Sequence, residues 1–131
     1  VPEAVAALRA GGIGLGIVTT KMRETTERAL KLLGLYDAMD AIVTIDDVEH
    51  PKPHPEPVRA AMALLGSEPR ETLMVGDSPV DIEAAIAAGA VPVGVAWSLK
   101  GAEPLERAGA KHVVLQMEEL LSLCGIGGAG R

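Results

Sequence analysis

Hydroxyls, lysines and carboxylates recur along this chain, each group just after a short apolar run: Thr19, Thr20 and Lys21; Asp46, Asp47 and, further on, Lys52; Gly76, Asp77, Ser78 and Asp81; then Trp97 and Ser98. Gathered at one edge of a fold, these residues would form a site for a phosphate and a hard metal ion. Hydroxyls and backbone amides donate to phosphoryl oxygens, and a lysine balances their charge. Magnesium takes oxygen from a few carboxylates and completes its shell with water and phosphate. Lys52 stands out because "HPKPHPEPV" (50–58) sets four prolines around it. Prolines fix φ and lack N–H donors, so this stretch is a stiff, irregular connector. Taken alone it has two readings: a rigid loop with a solvated lysine, or a support that holds one cation against an anion.

The elements that must position these residues alternate. "LGIVTT" (15–20), "AIVTI" (41–45), "TLMVGD" (72–77) and "VPVGVAW" (91–97) read as short buried strands, with "HVVL" (112–115) a weaker fifth. Continuous apolar runs of this length fit parallel strands covered on both faces. Between them, 23–34 reads as a helix ending at Gly34. Over 56–66, Val58, Ala61, Met62 and Leu65 fall on one helical face, Pro57 suits the first turn and Gly66 the end. Over 78–90 a Ser–Pro start and Gly89 bracket a third helix. Repeated strand–helix–strand units predict an α/β fold with a doubly wound parallel sheet, whose ligands sit outside the carboxyl ends of the strands. One core domain is expected over 1–124, with "GIGGAGR" (125–131) as a flexible tail.

Composition narrows the function. The chain has 131 residues, one Trp, one Tyr and no Phe, so its core must be built from Ala, Val, Leu and Ile. A formal net charge of −6 with scattered acids argues against a nucleic-acid surface, which needs clustered Lys and Arg. The single cysteine, Cys124, allows neither an internal disulfide nor a thiolate cluster and reads as a small apolar residue at the end of a last helix. No apolar run reaches the ~18 residues of a membrane span. The start lacks a basic n-region, and the expected compartment is the cytoplasm.

"GIVTTK", "KPHPEP" and "VGDSPVDIEAAIAAG" resemble, in order and spacing, the second, third and fourth motifs of the haloacid dehalogenase (HAD) superfamily of phosphohydrolases. "GIVTTKMR", "DDVEHPKPHPEPV" and "GVAWSLKG" look most like its inorganic pyrophosphatase branch, with the phosphoglycolate phosphatases as neighbours. The resemblance spans about residues 10 to 121. It implies a HAD-like, Rossmannoid core and a Mg2+ cofactor. The implied substrate is a small phosphorylated molecule, pyrophosphate or alternatively phosphoglycolate or another phosphomonoester. It implies that Thr19 binds a phosphoryl oxygen with help from the N–H of Thr20 at a helix start, and that Lys21 contacts substrate. Lys52 is implied to balance the charge of the transferring phosphoryl group, and Asp77 to hold magnesium. Asp81 has two readings, supporting or joining the metal site as the resemblance implies, or a capping partner of Ser78. Asp46 and Asp47 are expected in the loop or at a cap interface, and His50 and His54 in solvated roles.

The superfamily's first motif, D-x-D-G-T, supplies the nucleophilic and acid/base aspartates. No D-x-D occurs in this chain. The resemblance therefore implies that the first strand, both aspartates and the cap lie outside it, and that the chain alone turns over substrate negligibly. The absent strand belongs between 15–20 and 72–77, and its absence leaves two strand edges facing a gap. The gap is expected to be filled by the missing segment, or else by a second chain or swapped segment, or to be closed by the remaining strands in a different order. Two other readings stay open. One is a non-catalytic phosphate-binding remnant. The other is a phospho-acceptor receiver domain, whose order of Asp, Thr and Lys differs from the order here.

Overall fold

The computed structural model describes residues 2–95, 102–114 and 117–124. In chain order the elements are α1 (Pro2–Ala10), β1 (Gly16–Val18), α2 (Arg23–Leu32), β2 (Ala41–Val43), α3 (Glu56–Leu65), β3 (Leu73–Gly76), α4 (Pro79–Ala88), β4 (Val91–Val95), α5 (Glu103–Ala108), β5 (His112–Val114) and α6 (Met117–Leu123). Short 3-10 turns cover Tyr36–Ala38, Ile45–Asp47 and Pro69–Glu71. All five strands and the three helices expected from the sequence are present. The helices α1 and α5 are additions, and α6 ends one residue before Cys124. Trp97, Ser98 and the tail 125–131 lie outside the described residues.

Every strand pair is parallel, but the sheet is interrupted. β1 pairs with β2, from Gly16 opposite Ala41 to Val18 opposite Val43. Separately, β4 pairs with β3 on one side and β5 on the other. No ladder joins β1 to β3. The expectation that every strand is buried on both faces is corrected for these two. In β1 Gly16 is exposed and Ile17 and Val18 half-buried, and in β3 Val75 is exposed. By contrast Ala41 and Val43 of β2 and residues 92–95 of β4 are buried. The strands that border the interruption have lost cover on one side.

Helices bridge the interruption. α3 packs on β1, β2 and α4, and α4 packs on β3 and β4, while α1 packs against α6. Between them runs a slot of about 920 Å3, lined by β1 and β3, by Val58, Met62 and Leu65 of α3, and by Leu8, Leu120 and Cys124. Burial there pushes the Cys124 thiol pKa up, which fits its reading as a small apolar residue. Val58, Met62, Ala84, Ala85, Ala88 and Ala90 form one core cluster, with Met74 against it. The small alanines of α4 let α3 approach closely. Gly66 and Gly89 end these two helices in the left-handed region, at φ 67° and 80°, where a side chain would be strained.

Candidate functional site

At the carboxyl ends of β1, β3 and β4 lies a cavity of about 360 Å3, lined by Val18, Lys52, Met74, Val75, Gly76, Asp77, Asp81 and Val95. Lys52 reaches it from the proline-rich connector between β2 and α3. Its Nζ donates to Asp81 Oδ1 at 2.5 Å and to the Val18 carbonyl at 3.3 Å. Both side chains of the ion pair are nearly buried, Lys52 at 11% and Asp81 at 10% exposure. An ammonium has three donors, so one remains for an anion in the cavity. The solvated reading of Lys52 is thereby excluded. The lysine also spans the interruption, joining the end of β1 to the first turn of α4.

Asp81 meets the capping reading in part. Its Oδ2 accepts the Ser78 hydroxyl at 3.1 Å, yet Ser78, the N-cap of α4, makes no side-chain cap bond to the backbone. The carboxylate thus links the helix start to Lys52. Gly76 makes room for it: a Cβ at position 76 would collide with the Cβ and carboxylate of Asp81. Asp77 differs. It is exposed, and among the described residues nothing hydrogen-bonds to or pairs with its carboxylate. Asp77 therefore offers free oxygens to a cation, whereas both oxygens of Asp81 are engaged by Ser78 and Lys52.

Thr19, Thr20 and Lys21 occupy the loop after β1, next to Val18 but outside the cavity lining. The Thr19 hydroxyl accepts the Lys21 N–H at 3.1 Å, a local turn in place of a helix cap. Thr20 does not open a helix, because α2 starts at Arg23 with Met22 as N-cap. Any help from the Thr20 N–H therefore comes from loop backbone, not from a helix start. Lys21 and Thr20 are both exposed.

Asp46 and Asp47 lie in the loop after β2, within the 3-10 turn Ile45–Asp47, as the loop reading expected. Asp46 accepts the Arg23 N–H at 2.8 Å and so caps α2 from a different element, which explains a helix whose own N-cap, Met22, has no polar side chain. Asp47 Oδ2 accepts the Thr44 N–H at 2.7 Å, the Thr44 hydroxyl at 2.9 Å and Arg23 at 2.6 Å. Arg23 also donates to the Ile42 carbonyl and Glu27. Sequence reading missed Arg23, since no local pattern marks a partner twenty-four residues away. This cluster fastens the loop after β1 to the loop after β2.

The Thr44 N–H, then Arg23, hold the Asp47 carboxyl below the usual carboxylate range. A depressed folded pKa stabilises the fold above the unfolded value, and that contribution disappears as pH falls through the folded one. The fall begins near the ordinary Asp value of roughly 3.9. Melting temperatures at pH 7 and pH 3 are expected to differ less in Asp47→Asn than in the parent chain, and equal differences would contradict the assignment.

The ends of β1, β3 and β4 thus bring Lys52, Asp77 and Asp81 to one cavity of a parallel α/β fold. Residues 1–95 match the family model of haloacid dehalogenase-like hydrolases, and the chain belongs to that family. Over 124 residues it is 45% identical to pyrophosphatase PpaX of Bacillus velezensis, covering 95% of this chain and 57% of that protein. It superposes on a HAD-superfamily hydrolase, subfamily IA, from Geobacter sulfurreducens with a TM-score of 0.81 at 34% identity, covering 95% of this chain and 54% of the other. A HAD phosphatase from Thermococcus onnurineus gives 0.83 at 32% identity, with 95% and 56% coverage. The chain spans about half the length of the curated relatives it matches. The family and the parallel α/β architecture expected from the sequence are thus shown. Among the described residues no helix is long and apolar enough to cross a membrane.

Proposed function

We propose that this chain forms the larger part of the core of a magnesium-dependent phosphohydrolase acting on pyrophosphate. The observation that carries the reading is the pairing, in one cavity, of an anchored lysine with a free donor and an aspartate with free oxygens. Lys52 holds a phosphoryl oxygen with its remaining N–H and opposes the charge that gathers there. Asp81 keeps the ammonium aimed into the cavity. Thr19 and Thr20 contact the phosphoryl oxygens, and Lys21 meets the outer part of the substrate. Asp77 fits as the principal magnesium ligand, since the ion prefers a few carboxylates together with water and phosphate. When bound, magnesium supplies positive charge against the phosphate oxygens.

The slot between β1 and β3 receives one further parallel strand. Two facing parallel edges and an apolar lining support this, as does coverage of about half the relatives' length. The same segment supplies the nucleophile that the resemblance implies. The chain alone then holds phosphate but does not turn over.

The test is phosphate release from pyrophosphate with Mg2+. It compares this chain alone with the chain fused behind the amino-terminal remainder of the Bacillus velezensis relative. The expected result is no turnover alone and Mg2+-dependent turnover in the fusion. Asp77→Ala should abolish that activity, and Lys52→Ala should lower it by roughly 10²–10³-fold, the scale for one electrostatic stabiliser. A folded fusion that cleaves phosphoglycolate in preference would move the substrate to a phosphomonoester. A folded fusion with no activity that still binds phosphate would leave a phosphate-binding module.

A further inference from the structure

The proline-rich connector carries a second group of chemistry-bearing residues on its outer surface. His50, His54 and Glu56 each offer a ligand atom, and these atoms all lie within 4.8 Å of one another. The two imidazoles stack with centroids 4.6 Å apart. His50 Nδ1 lies 3.1 Å from Glu56 Oε1, and His54 Nδ1 accepts the Glu56 N–H at 3.0 Å. Glu56 also accepts the backbone N–H groups of Glu49 and His50. The sequence reading gave these histidines solvated roles; both are exposed, and their side chains also converge.

We propose that His50, His54 and Glu56 bind a borderline transition-metal ion of the Zn2+ class, at a site separate from the cavity of Lys52 and Asp77. Two imidazoles and one carboxylate match the preference of such ions for nitrogen and oxygen, and the hard Mg2+ has little use for imidazole. Tetrahedral bonds of about 2.0–2.1 Å put ligand atoms about 3.4 Å apart, so the group must tighten. It can do so cheaply. His50 is 60% exposed in its side chain and Glu56 34%, so water replaces the local hydrogen bonds that the ion displaces. His54 gives up the Glu56 N–H when Nδ1 turns to the metal. The backbone between the ligands is already stiffened by Pro51, Pro53 and Pro55, which cuts the entropy lost on closure.

The geometry favours a dedicated role for Glu56 whichever imidazole nitrogen is used. If His50 binds through Nε2, one oxygen of Glu56 orients the ring through Nδ1 and the other coordinates; if it binds through Nδ1, the carboxylate coordinates beside it. The site lies on the same connector that delivers Lys52, so an ion here would fix the loop from outside.

The test is calorimetric titration of the chain with Zn2+ at neutral pH, in a Cys124→Ser background that removes the thiol as a competing ligand. One ion per chain at micromolar affinity is expected, unaffected by millimolar Mg2+. His50→Gln and His54→Gln should each weaken it at least tenfold while the variants stay folded, since both rings are exposed. Imidazole nitrogen shifts in NMR should move for His50 and His54 and stay fixed for His112. Absence of saturable uptake would overturn the proposal, as would uptake that both substitutions leave intact.

Discussion

Lys52→Ala should destabilise the fold by about 3–5 kcal/mol, the scale for breaking a buried ion pair from one side. The loss comes mainly from Asp81. Its carboxylate is 10% exposed and without the ammonium keeps only the Ser78 hydroxyl. Asp81→Asn in the Lys52→Ala background should therefore recover much of the loss, because the stranded charge is gone. Denaturant unfolding of the single and double variants reads this directly. A single-variant cost below about 1 kcal/mol, the range of exposed pairs, would mean that the pair is open to water. Phosphate binding, followed by calorimetry, should vanish in both variants, since the third donor disappears with the lysine.

Gly76→Ala is expected to cost about 3 kcal/mol, the upper end for inserting a methyl group into a packed site. The new Cβ meets the Cβ and carboxylate of Asp81, and neither side yields easily. Gly76 is held in register opposite Gly94 of β4, and Asp81 sits in the first turn of α4. Relief requires the helix start to move, which draws Asp81 away from Lys52. Gly76→Ala should thus lose phosphate binding as well as stability. Parent-like unfolding with intact binding would refute the close approach.

Much of this was legible in the sequence because the chemistry and the secondary structure carry local signals. Strands were marked by apolar runs, and α3 and α4 by Pro at the start and Gly at the end. The gap between β1 and β3 followed from the missing first motif. What stayed hidden depended on contacts between distant residues. Nothing near Met22 announces that Asp46 caps its helix, and nothing near Arg23 points to Asp47. The Thr20 amide was assigned to a helix start by the resemblance alone, whereas the residue pattern itself begins that helix at Arg23. The histidines were read singly, and only the folded connector stacks their rings.

The interrupted sheet also shapes how the molecule opens. Backbone ladders carry cooperativity from strand to strand, and here none crosses from β1 to β3. The β1–β2 half and the β3–β4–β5 half are coupled through α3 on α4, α1 on α6, and the Lys52 bridge. Each half is thus a candidate foldon, able to open locally at a free energy below that of the whole. A strand seated in the slot would add more than its own hydrogen bonds. It would fuse two ladders into one of six strands and turn two partial openings into a single all-or-none transition.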